Sequence, residues 1–118
     1  MKVLKVKPFE NPAVIEIDDE LETLQNEVGG YIECVYPFED DVAIICNEEG
    51  KITGLPFNRV LRSNDGTIVD VLCGDFLVVG LTEDGFDSLT DERIKTYTKI
   101  YGKDSCLSDY FEIIGNIF

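Results

Sequence analysis

The sequence predicts an α+β fold: a small mixed, mainly antiparallel sheet with a short N-terminal helix and one or two C-terminal helices. Short apolar runs separated by turn residues recur along the chain and indicate strands, and two segments have apolar residues at helical spacing. The hydrophobic fraction of 44%, with seven Phe and five Tyr, supports a packed core. At 118 residues the chain is predicted to form a single domain over residues 1–118.

The beginning of the chain predicts a hairpin followed by a helix. Residues 2–7 alternate in polarity and end before a proline, which is typical of an edge strand, and residues 13–17 form the second predicted strand. Apolar residues recur at helical spacing between residues 21 and 28 and indicate a short amphipathic helix. Gly29 and Gly30 end this helix, because a helix C-cap favours a left-handed residue.

Two strands and an acidic turn are predicted next. Residues 31–36 form a strand that stops before a proline, and residues 41–47 form a continuous apolar run. Such a run indicates a central strand that is covered on both faces. If the two strands pair as a hairpin, Cys34 and Cys46 could lie nearly opposite each other. An adventitious disulfide on oxidation is then the minor alternative to the reduced cysteines that we expect.

The middle of the chain predicts a second hairpin. Residues 52–53 are expected to resume an extended course, and residues 57–61 are interpreted as a short helical turn. The sequence Asn-Asp-Gly at residues 64–66 predicts a tight turn between two short strands. Residues 76–80 form a further strongly apolar strand.

The end of the chain predicts two helices. Ser88 or Thr90 is a suitable N-cap for a helix whose apolar side includes Tyr97 and Tyr101, and Gly102 ends it. Residues 109–118 form a predicted final short helix. We expect its apolar side chains, among them Ile117 and Phe118, to cover the sheet rather than to form a partner surface.

Charge predicts the class of partner. Twenty-four acidic and ten basic residues give a net charge of −14, and no Lys or Arg occurs between residues 8 and 50. Such a field repels nucleic-acid phosphates and anionic lipid and attracts basic proteins or cations. We therefore expect a basic or nucleic-acid-binding protein as partner, without direct nucleic-acid or membrane binding; plain solubility is the alternative interpretation. The predicted acidic surface comprises Glu33, Glu39, Asp40, Asp41, Glu48 and Glu49.

Several kinds of chemistry are excluded by residue type and spacing. The absence of His excludes Ser-His-Asp and Cys-His catalysis and His-ligated zinc. The cysteines lack zinc-site spacing, no acidic loop fits an EF-hand, and the glycine-rich phosphate-binding loops are absent. We expect a non-enzymatic protein with no catalytic residues, no metal and no cofactor. Carboxylate-based catalysis is the alternative that the many acids leave open.

The four cysteines and the apolar runs predict a cellular compartment. No signal peptide is evident, and no apolar run approaches the roughly 20 residues that a membrane span needs. We expect a cytoplasmic protein with reduced cysteines.

Polar residues near two predicted corners are candidates for a binding site. Asn47 follows the most apolar strand, and Asn58 and Arg59 lie at the next corner. The planar fork of Arg suits a carboxylate or phosphate, and Gly29 and Gly30 allow a ligand to approach the backbone. In the structural alternative, Asn47 closes a turn and Arg59 pairs with a neighbouring acid.

Four segments in a fixed order carry a resemblance to a known family: VGGYIE (28–33), DDVAIICNEEGKITGLPFNR (40–59), DGTIVDVLCGDFLVVG (65–80) and LTDERIKTY (89–97). This pattern resembles the uncharacterised family catalogued as domain of unknown function 3846, over residues 1 to about 101, with residues 102–118 as a C-terminal extension. The family is associated with gut Gram-positive bacteria and their phages and conjugative elements. The resemblance therefore implies a phage or mobile-element setting, and it implies no activity and no catalytic residues.

Three functional hypotheses follow. The leading one is a non-enzymatic binding protein of a mobile element or phage, whose acidic surface binds a basic host or element-encoded protein. DNA mimicry in counter-defence is its sharpest form. The alternative is a small-ligand-binding module with a pocket near Asn47, Asn58 and Arg59. The third is a structural domain of a larger assembly that makes contact through its apolar C-terminus; the oligomeric state is not predicted.

Overall fold

A computed structural model describes residues 1–117, with side chains described through residue 115. Within this part the chain forms an α+β fold, as predicted. The strands are β1 (Lys2–Val6), β2 (Ala13–Glu16), β3 (Ile32–Val35), β4 (Val42–Asn47), β5 (Phe57–Arg62), β6 (Ile68–Cys73), β7 (Phe76–Thr82) and β8 (Gly85–Asp87), and the helices are α1 (Leu21–Val28), α2 (Asp91–Ile100) and α3 (Lys103–Ile117). The predictions for Phe118 and for the Ile117 side chain lie outside the described residues.

The large sheet has the strand order β2-β1-β7-β4-β3, and β8 pairs with the end of β7. Neighbouring strands are antiparallel. Five consecutive residues of β4 are buried, which confirms the prediction of a central strand covered on both faces. The edge position predicted for residues 2–7 is wrong, because β1 pairs with both β2 and β7. The short strand β2 takes that edge instead.

The second sheet is the hairpin of β5 and β6. It turns at residues 64–66, as predicted, with Gly66 in the left-handed region at φ 86°. The helical turn predicted for residues 57–61 is wrong, because this segment pairs with β6 and tertiary pairing overrides the local pattern. Residues 52–53 resume no strand, since residues 48–54 form one continuous turn. The prediction also missed β8.

Two apolar clusters cover the two faces of the large sheet. On one face, α1 packs over the sheet through Leu24 and Val28. On the other face, the β5–β6 hairpin and α2 pack over the sheet, with Leu61 and Tyr97 among the contacting residues. The central strands contribute alternate residues to each cluster, as the period of a strand requires. The result is a three-layer arrangement with the large sheet in the middle.

Two of the three helices, α1 and α2, lie where the sequence predicted them. The helix predicted at residues 21–28 is present as α1, and it follows the first hairpin rather than opening the chain. Thr90 caps α2 and accepts a hydrogen bond from the backbone N–H of Arg93 at 3.2 Å. By contrast, α3 begins at Lys103 rather than at residue 109.

The last helix packs on the small hairpin rather than on the large sheet. Its contacts are with β5, and Cys106 and Asp109 are buried there. Leu107, Tyr110 and Phe111 remain exposed, Phe111 to 65%. The apolar C-terminus thus covers a sheet only through the side of α3 that packs on β5 of the small sheet. Within the described residues, the opposite side of α3 covers neither sheet.

The register of β3 and β4 separates two cysteines that were expected to face each other. Cys34 is paired with Ile45, and Cys46 is paired with Glu33. A shift of one residue reverses the face to which a side chain points, so the two thiols lie on opposite faces of the sheet. The expected proximity is therefore wrong, and all four cysteines are free.

Candidate functional site

A surface groove of about 760 Å³ lies where the end of α1, the start of β3 and the turn after β4 meet. We call it the α1 groove. Three of the five predicted binding residues, Gly29, Gly30 and Asn47, line it. The complete lining is Gln25, Asn26, Gly29, Gly30, Tyr31, Asn47, Glu49, Thr53 and Leu55.

Asn47 connects two of the elements that form the groove. Its Nδ2 donates a hydrogen bond to the carbonyl oxygen of Val28 at 3.1 Å, and its Oδ1 accepts one from the backbone N–H of Glu49 at 2.8 Å. The first bond joins the end of β4 to the end of α1, and the second orders the turn that follows β4. Asn47 therefore closes a turn, as in the structural alternative, and it also lines the groove.

The two glycines allow this close approach. Gly29 has φ 79°, a left-handed conformation that L side chains rarely adopt, and it ends α1. The N–H groups of Gly29 and Gly30 both donate to the carbonyl oxygen of Gln25. A Cβ on Gly30 would lie 2.9 Å from Nδ2 of Asn47, so a side chain there would displace the Asn47 amide. The glycine pair thus ends the helix and makes room for its cap.

The groove is electronegative. It lies at the carboxyl end of α1, whose last turn carries no basic residue, and the helix dipole is therefore not compensated there. Within residues 1–117, no donor contacts the carbonyl oxygen of Asn26, a lining residue. Glu49 adds an exposed carboxylate, and neither Lys nor Arg lines the groove.

Arg59 lies in the core, away from the α1 groove. It is 0% exposed, and its Nη2 donates to the carbonyl oxygens of Tyr101 at 2.8 Å, Glu10 at 3.0 Å and Gly102 at 3.2 Å. Nε donates to Oγ of Ser105 at 2.9 Å. Burial lowers the pKa of the guanidinium from its ordinary value.

Among the described residues, Arg59 does not pair with a neighbouring acid, although the structural alternative expected this. None of the ion pairs in the described part of the chain includes Arg59, so the expected pairing with a neighbouring acid is wrong. Instead, the carbonyl groups at the end of α2 face its charge, because a helix C-terminus is the negative end of the dipole. Arg59 thereby links β5 to the junction of α2 and α3.

Asn58 is also buried and has no group free for a ligand. Its Nδ2 donates to the carbonyl oxygens of Val6 at 2.9 Å and Gly74 at 2.8 Å, and its Oδ1 accepts from Nη1 of Arg59 at 2.6 Å. The five predicted binding residues thus separate into two sets. Three line the α1 groove, and Asn58 and Arg59 form an internal hydrogen-bonded pair that connects the two sheets.

The predicted acidic surface separates into two groups at opposite ends of β4. Glu39, Asp40 and Asp41 precede the strand, whereas Glu48 and Glu49 follow it. Glu33 belongs to the second group because it pairs with Cys46 near the end of β4. At about 3.4 Å per residue, this six-residue strand separates the groups by about 17 Å.

Asp40 is tied to α2. Its carboxylate accepts from Nη2 of Arg93 at 2.7 Å, from Nε of Arg93 at 3.0 Å, and from the hydroxyl of Tyr97 at 3.1 Å. The Arg93 guanidinium lowers the pKa of Asp40 from its ordinary value, and burial together with Asp40 raises the pKa of Tyr97 to about 12. Asp40 therefore links the β3–β4 turn to α2.

The other predicted acids lack a basic partner. In the described residues, the ion pairs engage Glu27, Asp40, Asp70, Asp75, Asp109 and Glu112. Glu33, Glu48 and Glu49 are exposed and have no such pair. Glu49 lines the α1 groove, whereas Glu33 and Glu48 line a separate small cavity that also contains Lys51. No group of three or more metal-ligating side chains converges within the part of the chain that the structure describes.

The prediction missed several residues of the groove, above all Tyr31. Its side chain is 68% exposed, next to the end of α1. Its position directly after Gly29-Gly30 was the available signal, because residues in a short connection after a helix lie at the surface and often take part in binding. Gln25, Asn26 and Thr53 carried no comparable signal in the sequence.

Comparisons with known proteins give one result. Residues 1–102 match a protein family described as Domain of unknown function (DUF3846). The match ends directly before α3, which begins at Lys103. Neither the search of curated proteins nor the search of solved structures found a match. In the described part of the chain, no helix has both the length and the apolar character that crossing a membrane requires.

Proposed function

The chain belongs to the family described as domain of unknown function DUF3846, and on this premise we propose that it is a non-enzymatic binding protein that binds a basic protein through an acidic surface. We place it in the cytoplasm of a gut bacterium, as the product of a phage or mobile element. Its partner is a basic host or element-encoded protein. The observation that carries the proposal is the α1 groove, a concavity lined by the unpaired acid Glu49 and by neither Lys nor Arg.

The charge distribution supports this proposal. The base-free span of residues 8–50 contributes both edge strands of the large sheet, β2 and β3, and the helix α1 on one face. Lys5 and Arg93 pair with Glu27 and Asp40 of this span, and its remaining acids have no ion pair among the described residues. Such excess negative charge attracts a basic partner over distances up to about 10 Å at moderate salt. The interaction would therefore be fast and sensitive to ionic strength.

The acidic surface is best placed at one end of β4. The carboxylate of Asp40 accepts hydrogen bonds from Arg93 and Tyr97, so it has less capacity to accept hydrogen bonds from a partner. Glu33, Glu48 and Glu49 are exposed, and Glu49 also lines the groove. In the sharpest form of the proposal, the partner is a nucleic-acid-binding protein whose phosphate sites accept these carboxylates in place of DNA.

A small-ligand-binding module is the second candidate, and the size of the groove favours it. Ligand pockets in proteins typically have volumes of about 300–1,000 Å³, a range that includes the α1 groove. Because neither Lys nor Arg lines this groove, the ligand would be cationic or neutral. Arg59 would not hold an anion there, since its donors are engaged in the core.

Affinity capture with matched charge variants tests the proposal. The immobilised protein is exposed to bacterial lysate at low and raised salt, and the retained proteins are identified by mass spectrometry. The same capture is made with Glu48→Lys/Glu49→Lys and with the control Glu39→Lys/Asp41→Lys, which changes the net charge equally. We expect a defined basic protein that is released by salt and lost with the first pair. Equal capture by all three proteins would overturn the proposed binding surface.

A further inference from the structure

Resting on the proposed function, we propose that the α1 groove is the site at which an arginine side chain of the basic partner binds. The groove combines three features that recognise a guanidinium group: the carbonyl end of a helix, an exposed aromatic ring and a carboxylate. No Lys or Arg of this chain lines the groove to occupy the site.

The end of α1 supplies hydrogen-bond acceptors. The carbonyl oxygen of Gln25 accepts from Gly29 and Gly30, and that of Val28 accepts from Asn47. The carbonyl oxygen of Asn26, a residue that lines the groove, has no donor among residues 1–117. Such groups at a helix C-terminus carry partial negative charge, so they favour a cationic donor.

Tyr31 supplies the aromatic ring. Its side chain is largely exposed although the backbone beside it is fixed, because its carbonyl oxygen accepts from the N–H of Glu48 at 2.8 Å. A guanidinium stacks on a tyrosine face more readily than an ammonium does, since it is planar and weakly hydrated. The backbone of Tyr31 therefore loses little freedom when a ligand binds.

Glu49 supplies the carboxylate, and its backbone is fixed from two sides. Its N–H donates to Oδ1 of Asn47, and its carbonyl oxygen accepts from the N–H of Thr53 at 2.8 Å and from Oγ1 of Thr53 at 2.9 Å. Arg presents five N–H donors in a planar fork, which suits a carboxylate and neighbouring carbonyl groups together. A lysine ammonium lacks this planar geometry, so arginine is the preferred side chain.

Titration of the ¹⁵N-labelled protein with short peptides, followed by amide NMR, tests this inference. Three matched Gly-Ser peptides carry arginine, its neutral isostere citrulline, or lysine. We expect the arginine peptide to shift the amide signals of Gly29, Gly30, Tyr31 and Glu49. The lysine peptide is expected to bind more weakly, and the citrulline peptide is expected to produce no shifts.

Two variants and one control locate the site. Glu49→Gln is expected to weaken binding of the arginine peptide about tenfold, the cost of losing one charge-assisted hydrogen bond. Tyr31→Leu is expected to weaken it about threefold through loss of the cation–π contact. Glu39→Gln removes the same charge at the far end of β4 and is expected to leave the affinity unchanged.

The outcomes separate this inference from the proposed function. Shifts confined to residues 39–41, with Glu49→Gln binding as well as the parent, would overturn the groove site and would move the acidic binding surface to the other end of β4, while the binding of a basic partner would stand. Equal binding of the arginine and citrulline peptides would overturn the role of charge in the groove. Capture of a basic protein together with no peptide shifts at the groove would likewise reject the arginine site alone.

Discussion

The side-chain amide of Asn47 donates to the carbonyl oxygen of Val28 over 3.1 Å, so the last residue of β4 caps the last turn of α1. This one bond connects the central strand of the sheet to the helix that covers it. It also forms part of the α1 groove, because both Asn47 and the glycines after Val28 line that concavity. The groove therefore depends on the same contact that ends the helix.

Replacement of Asn47 by alanine is expected to destabilise the protein. The change removes the bond to Val28 and the bond from the N–H of Glu49, and we expect the free energy of unfolding to fall by about 1–2 kcal/mol. Urea denaturation measures this difference. The control is Asn64→Ala, which removes an exposed bond to Glu39 and is expected to cost less than about 0.5 kcal/mol. Equal costs for the two variants would contradict the capping role.

Removal of the buried arginine is expected to have a larger effect. In Arg59→Met, the carbonyl oxygens of Tyr101, Gly102 and Glu10 lose their donor in the core, and we expect a loss of about 3 kcal/mol or more. Denaturant titration of Arg62→Met serves as comparison. Arg62 is partly exposed and pairs with Asp109 and Glu112, so that variant is expected to lose about 1 kcal/mol. A tolerated Arg59→Met would show that the buried network contributes little.

The sequence was sufficient for most elements of the fold because their signals are local. The apolar run of residues 41–47, the turn at 64–66 and the cap at Thr90 each specify structure through nearby residues. The prediction for β5 was wrong because Gly-Leu-Pro before it indicates a break in the extended chain, while the strand form of β5 depends on pairing with β6. A local sequence pattern does not show which distant segment a strand will pair with.

The candidate site was predicted only in part for the same reason. Gly29 and Gly30 end α1 by a local rule, and Asn47 follows a strand that the sequence shows clearly. The burial of Arg59 depends on the end of α2, more than 40 residues further along the chain. No pattern near Arg59 could show that carbonyl groups rather than a ligand would receive its hydrogen bonds.

The ion pair of Asp40 with Arg93 predicts a dependence of stability on pH. Arg93 lowers the pKa of Asp40 below its ordinary value of 3.8, so the stabilisation is complete above that pH and is lost as the pH falls through the lower, folded-state value. Because the pair is partly exposed, we expect Asp40→Asn to cost only about 0.5–1 kcal/mol at neutral pH. Denaturation of both proteins at several pH values checks this. The stability difference is expected to shrink in acid, and a constant difference would contradict the role of the ion pair.

Oxidation is expected to leave Cys34 and Cys46 unjoined. The two thiols lie on opposite faces of the sheet, and burial, followed by the charge of Glu33, raises the pKa of Cys46 to about 12. Treatment of the folded protein with a mild oxidant, followed by proteolysis and mass spectrometry, is expected to show no peptide that contains this pair. A Cys34–Cys46 disulfide formed without unfolding would contradict the β3–β4 register.

The variant Asn26→Lys tests the central claim most directly, because it separates stability from binding. A base in the last turn of α1 compensates the helix dipole, so we expect the free energy of unfolding to rise by about 0.3–1 kcal/mol. The same ammonium lies at the α1 groove and repels a guanidinium, so we expect affinity for the arginine peptide to fall about tenfold. Asn26→Gln, which adds no charge, is the control for both measurements. Thermal unfolding and calorimetric titration of the three proteins should show a more stable Asn26→Lys protein that binds more weakly. Raised stability with unchanged affinity would contradict the groove as the binding site.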